Sequence, residues 1–129
     1  MKILLDTHAF LWFIEDSPKL STEARSAIED GFNEPLLSVA SLWEMAIKVS
    51  VGRLDLKKPF ETFVPDQLEL NGFDQLAISF QHIAVVAKLP FHHRDPFDRL
   101  LLAQAIAEGL AVVTTDRIFG EYLPTALVV

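Results

Sequence analysis

Residues 2–15 read KILLDTHAFLWFIE. Lys2 to Asp6 is a short apolar run closed by an acid, the pattern of a buried strand. His8 to Glu15 is apolar nearly all round and predicts a helix contacted on more than one side. The alternation continues outward along the chain. Ser21 is positioned as the N-cap of a second helix, with Gly31 as its stop. Pro35 to Val39 (PLLSV) predicts another buried strand, and Ala40 to Val51 a helix with Gly52 at its C-cap. Phe60 to Leu70 has helical composition, which Pro65 must disturb unless it starts a new helix at its first turn. Phe73 to Ser79 carries a faint strand pattern, and Phe80 to Leu89 a helix ending before Pro90. Pro96 to Glu108 predicts a helix stopped by Gly109, Leu110 to Thr114 a buried strand, and Asp116 the opening of a short helical turn. Ala126 to Val129 ends the pattern as a final strand. Strands alternating with helices predict an α/β fold with a mainly parallel sheet covered on both faces. With no repeat or linker in view, residues 1–129 are expected to form a single domain.

The bulk numbers narrow the function classes. Half of the 129 residues are apolar, enough for a sizeable core, and there is no cysteine. A disulfide scaffold, a cysteine nucleophile and thiolate zinc sites are therefore excluded. Asp6 and His8 interrupt what would otherwise resemble a signal sequence, and no apolar run approaches the roughly 20 residues of a membrane span. The expected address is the cytoplasm, with no membrane partner. The net charge of −7 runs against the basic footprint usual in nucleic-acid binders. An acidic chain can instead gather carboxylates around a divalent cation, bind a basic partner, or carry an ordinary acidic surface.

Four acids stand out: Asp6, Glu44, Asp98 and Asp116. Each has a structural explanation. Asp6, Asp95 and Asp116 stand at helix starts, where a carboxylate accepts from orphan backbone N–H groups. Asp95-Pro96-Phe97-Asp98 has the form of a capping box, and Glu44 is one turn from Lys48. As a set they are harder to assign to capping. Asp6 and Asp116 follow apolar strands, and Glu44 and Asp98 lie in opening turns of helices, on the expected ligand-binding edge of a parallel sheet. Converged carboxylates repel by on the order of 4 kcal/mol per pair at about 4 Å. A divalent cation relieves that repulsion, and hard oxygen donors suit Mg²⁺ or Mn²⁺.

The stretches LLDTHAFLW, SVASLWEMAIK, HRDPFDRLLLAQA and VVTTD together resemble the PIN domain, and within it the VapC-type toxins of bacterial type II toxin–antitoxin pairs. The likeness runs from the first strand to the last, with the acidic motifs in the family's order. It implies a three-layer α/β/α sandwich that hydrolyses RNA with Mg²⁺ or Mn²⁺ and is held inactive by a cognate antitoxin. It also implies a homodimer. By the same resemblance Asp6, Asp98 and Asp116 bind metal directly or through water, and Glu44 completes the pocket. Asp95 supports Asp98 through the helix start, and Thr115 supplies the hydroxyl often found near the fourth acid.

The remaining polar residues have two readings each. Lys48, Arg94, Arg99 and Arg117 border the acids and suit either RNA phosphate contacts or salt bridges. His92 and His93 are adjacent, hence ill placed to share a metal, and with His8 are expected in core or surface roles. Trp12, Phe13 and Trp43 are core residues by default, while the resemblance would give the early helices an antitoxin groove and dimer contacts. Two other functions compete. A phosphatase using Asp6 as nucleophile would want a second Asp at the position of His8, and a receiver domain would want paired acids at the first strand. A scaffold that has lost catalysis would have no reason to keep four mutually repelling acids.

Overall fold

Ile3 and Leu5 point to one side of a strand and Leu4 to the other, and all three are buried. That burial on both faces is what a central parallel strand requires. In a computed structural model describing residues 1–123 and 127–128, this strand, β1 (Lys2–Leu5), is the middle of five. The others are β2 (Glu34–Ser38), β3 (Asp74–Leu76), β4 (Ala111–Thr114) and β5 (Leu127–Val128). Their order is β3-β2-β1-β4-β5, and every neighbouring pair is parallel. The helices are α1 (Thr7–Ile14), α2 (Thr22–Glu29), α3 (Val39–Ser50), α4 (Phe60–Asn71), α5 (Phe80–Val86) and α6 (Pro96–Glu108). Phe10, Ile28, Val64 and Leu68 of α1, α2 and α4 cover the face carrying Ile3, Leu5, Leu37 and Val113. Leu101, Leu102 and Ala105 of α6 cover Leu4, Leu36 and Val112 on the other, with Val85 and Val86 of α5 against them. The expected α/β/α sandwich with its parallel sheet is the fold observed.

Some boundaries differ from expectation. Asp30, not Gly31, closes α2, and Val51 is the C-cap of α3, with Gly52 just beyond it at φ 76°. Helix α4 runs unbroken through Pro65. The proline lies on the exposed side of the helix, so the carbonyl one turn back that loses its N–H partner is free to meet water. Strand β3 keeps only three residues, and α5 ends at Val86. Of the proposed final strand, Leu127 and Val128 pair with β4; Ala126 and Val129 lie outside the described residues.

The chain moves outward from β1 through β2 to β3, then returns to β4 on the opposite flank of β1. Between β1 and β4 the connections therefore diverge. Beyond the carboxyl ends of such a strand pair a crevice opens, and ligands bind there.

Candidate active site

Asp6 ends β1 in that crevice. It is the N-cap of α1, its Oδ1 accepting from the Ala9 N–H at 2.7 Å. Its Oδ2 accepts from the Thr114 hydroxyl at 2.6 Å and the Thr115 N–H at 2.8 Å, with the Thr115 hydroxyl at 3.5 Å. The side chain is only 4% exposed. Burial raises its pKa above the usual carboxylate range, opposed by these hydrogen bonds. Thr114 also accepts from the Asp116 N–H at 3.0 Å, so one buried hydroxyl links the ends of β1 and β4. Thr115, expected to supply a hydroxyl near the fourth acid, contacts the first acid, Asp6, and Thr114 makes the shorter hydroxyl bond to it.

Glu44 reaches the cluster from the second turn of α3. The Thr7 hydroxyl donates to its Oε1 at 2.7 Å and lies 2.9 Å from Ser41 Oγ. Lys48 pairs with its Oε2 at 3.2 Å, which makes the salt bridge, of the two readings for Lys48, the one formed here.

Asp98 sits in the first turn of α6. Asp95 caps that helix, its Oδ1 accepting from the N–H groups of Phe97 and Asp98 at 2.9 and 3.0 Å. The reach-back half of the expected capping box is not formed. The Asp95 N–H donates instead to His93 Nδ1 at 3.1 Å, leaving the Asp98 carboxylate to face the other acids. Its pKa is pushed up to about 7, first by burial, then by Asp95, with Asp6 and Glu44 adding to the effect and His93 opposing it. Those two distant acids act on Asp98 because the fold has brought them close.

Asp116 follows β4 and caps the 3-10 turn Arg117–Glu121, accepting from the Ile118 N–H at 2.9 Å. Its other oxygen lies 2.7 Å from His93 Nε2, and Asp98 Oδ2 is 3.2 Å from the same nitrogen. One ligand atom from each of His93, Asp98 and Asp116 falls within 4.8 Å of the others. The expectation that His93 has only a core or surface role is therefore corrected: its ring stands in the acidic cluster. His92, its neighbour, stacks edge-on with Tyr122 instead.

Arg99 also departs from expectation. It is buried, and its guanidinium donates to the carbonyls of Pro90, His93, Val86 and Leu89 at 2.9–3.2 Å. All its reach is spent on main chain, so it neither faces a phosphate nor pairs with an acid. Arg94 and Arg117 are exposed beside the cluster, and no ion pair involves either among the described residues.

The chain and its fold have relatives among known proteins. A PIN domain profile matches residues 3–122. Over 115 residues the chain is 31% identical to "Ribonuclease VapC22" of Mycobacterium tuberculosis, a match spanning 89% of this chain and 87% of that protein. It is 35% identical over 71 residues to "Ribonuclease VapC16" of the same organism, covering 52% of this chain and only half of that protein's length. Among solved structures, the fold is similar to VapBC2 from Rickettsia felis bound to a promoter DNA fragment, at 17% identity and a TM-score of 0.70, covering 100% of this chain and 98% of that one. It is likewise similar to FitAcB from Neisseria gonorrhoeae, at 20% identity and a TM-score of 0.65, covering 98% and 96%.

Proposed function

The chain belongs to the PIN domain family, and from that premise we propose that it is a metal-dependent endoribonuclease, the toxin of a toxin–antitoxin pair. The observation that carries the reading is the gathering of Asp6, Glu44, Asp98 and Asp116 at the β1–β4 crevice, felt in the pKa of Asp98. Two relatives named as ribonucleases support the activity.

The donor set fits a hard divalent cation. It is built of carboxylate oxygens, and the described cations paired with it are Lys48 and, when protonated, His93, fewer than the acids they face. In this proposal Asp6, Asp98 and Asp116 hold Mg²⁺ or Mn²⁺, with Glu44 contributing directly or through water. The cation, when bound, supplies Lewis-acid polarisation of the scissile phosphate and a lowered pKa for water. The chain's own residues do the rest. Thr114 and the Thr115 N–H keep Asp6 aimed, Thr7 orients Glu44, and the Asp95 cap fixes the first turn of α6. Asp98, whose pKa without metal is pushed up to about 7 by burial and the neighbouring acids, is the carboxylate whose charge a bound cation would relieve most. Arg94 and Arg117 are the basic residues left to meet RNA phosphates.

The partners in this reading are an RNA, a cognate antitoxin and a second copy of the chain, meeting in the cytoplasm. Exposed Trp43, Ile47 and Val51 recur at one-turn spacing on and just after α3, an apolar stripe suited to a protein partner. No helix among the described residues is long and apolar enough to cross a membrane. Purified protein with Mg²⁺ or Mn²⁺ should cut RNA, EDTA should stop it, and Asp98→Asn should abolish cutting while keeping the fold. Cleavage indifferent to EDTA, or an active Asp98→Asn protein, would remove the metal centre from the mechanism.

A further inference from the structure

His93 is held at every polar handle it has. Its backbone N–H donates to the Tyr122 hydroxyl at 2.9 Å, and its carbonyl accepts from Arg99 at 3.2 Å. Tyr122 in turn donates to the Pro90 carbonyl at 2.6 Å. The ring stands edge-on against Phe119, centroids 6.1 Å apart. Nδ1 accepts the Asp95 N–H, and Nε2 faces the oxygens of Asp116 and Asp98. A side chain tethered this fully is placed, not merely accommodated.

The tether also decides which nitrogen carries the proton. A backbone N–H can only donate, so Nδ1 must offer its lone pair to Asp95. A neutral ring then carries its hydrogen on Nε2, the atom between the two carboxylates. A nitrogen bearing a proton has no lone pair for a metal. To become a ligand, neutral His93 would have to move its proton to Nδ1 and break the bond from Asp95. The same loop thus excludes ligation and enforces donation.

We propose that His93 is a positioning residue that donates its Nε2–H to Asp116, with Asp98 beside it, and holds the Asp116 carboxylate ready for a divalent cation without itself binding the metal. This rests on the carboxylate metal centre proposed above. Residues that orient metal ligands in this way change affinity by about 10–100-fold when removed.

The test uses the full chain and Mn²⁺ as the probe. Free Mn²⁺ is counted by electron paramagnetic resonance, and nitrogen coupling to the bound ion is sought in protein labelled with ¹⁵N-histidine. Wild-type protein should bind Mn²⁺ with no coupling from a coordinated histidine nitrogen. His93→Ala should weaken binding by about 10–100-fold, and His93→Gln, whose amide N–H can replace the Nε2–H, should recover most of it. Histidine nitrogen coupling of direct-ligand size would overturn the proposal, as would unchanged affinity in His93→Ala. If His93→Ala does not fold, the wild-type coupling and the His93→Gln affinity still decide. Asp98→Asn separates the two levels: Mn²⁺ binding lost there but untouched by His93→Ala sinks only the role of His93. No Mn²⁺ binding in the wild type, or full binding in Asp98→Asn, sinks the metal centre and this role with it.

Discussion

Asp98 illustrates how one carboxylate can work against the fold that holds it. Its pKa rises from 3.8 to about 7 on folding, so between those values the folded chain binds a proton that the unfolded chain has released. Stability therefore falls as pH rises through that window. With the carboxylate one-quarter exposed, solvent screening leaves about 2 kcal/mol of the effect. Buried Asp6 acts in the same direction. Metal-free protein should accordingly melt at a higher temperature at pH 5 than at pH 8, and Asp98→Asn should flatten the slope. Thermal melts across that range in EDTA check it; a melting temperature that climbs steadily from pH 5 to pH 8 would contradict the burial of these acids.

At the scale of elements, α6 does two jobs from adjacent positions. Successive helix residues point about 100° apart, so Asp98 faces the crevice while Arg99 turns inward to the end of α5. There the guanidinium donates to carbonyls at and just beyond the helix end, among them that of Val86, which also accepts from the Leu89 N–H at 3.2 Å. It also lies 4.1 Å from the Phe91 ring centroid. Arg99→Lys keeps the charge but not the fork, and should cost about 2–3 kcal/mol in a urea melt. A loss within experimental error would mean that water can replace the clamp.

The span of α6 was legible in sequence because its signals are local: Asp95 and Pro96 at the start, Gly109 at the end. The role of Arg99 was not, since its place beside the acids suggested phosphate contact or a salt bridge, while the receiving carbonyls lie at the end of α5 and in the segment after it. His93 was missed for a related reason. Two adjacent histidines do not announce that one ring is turned by a backbone N–H toward a carboxylate 23 residues away.

For the whole molecule, sheet order brings together what the chain keeps apart. The acids at strand ends could be read from apolar runs followed by Asp, and parallel order follows from alternating elements. The hydroxyls of Thr7 and Thr114 carry no such pattern; Thr114 is used because β1 lies beside β4, and Thr7 because β2, on the other side of β1, delivers α3. On the proposed function, four acids in one crevice would make metal binding a matter of global stability. A cation held only by the folded chain stabilises it by about 2.7 kcal/mol at one hundred times its dissociation constant. Saturating Mn²⁺ at pH 8 should raise the melting temperature, and EDTA should reverse the rise. An unshifted melt at concentrations that support RNA cleavage would show that the acids bind the ion no better folded than unfolded.

The bond from Thr114 to Asp6 joins residues 108 positions apart, which gives the protein a timetable. A ribosome makes Asp6 before Asp116, and β1 has no β4 to pair with until Ala111–Thr114 has been made. Throughout synthesis the growing protein sits against ribosomal RNA, messenger and tRNA while lacking half of its crevice. The topology therefore delays the activity proposed for it until β4 has been made and can pair with β1.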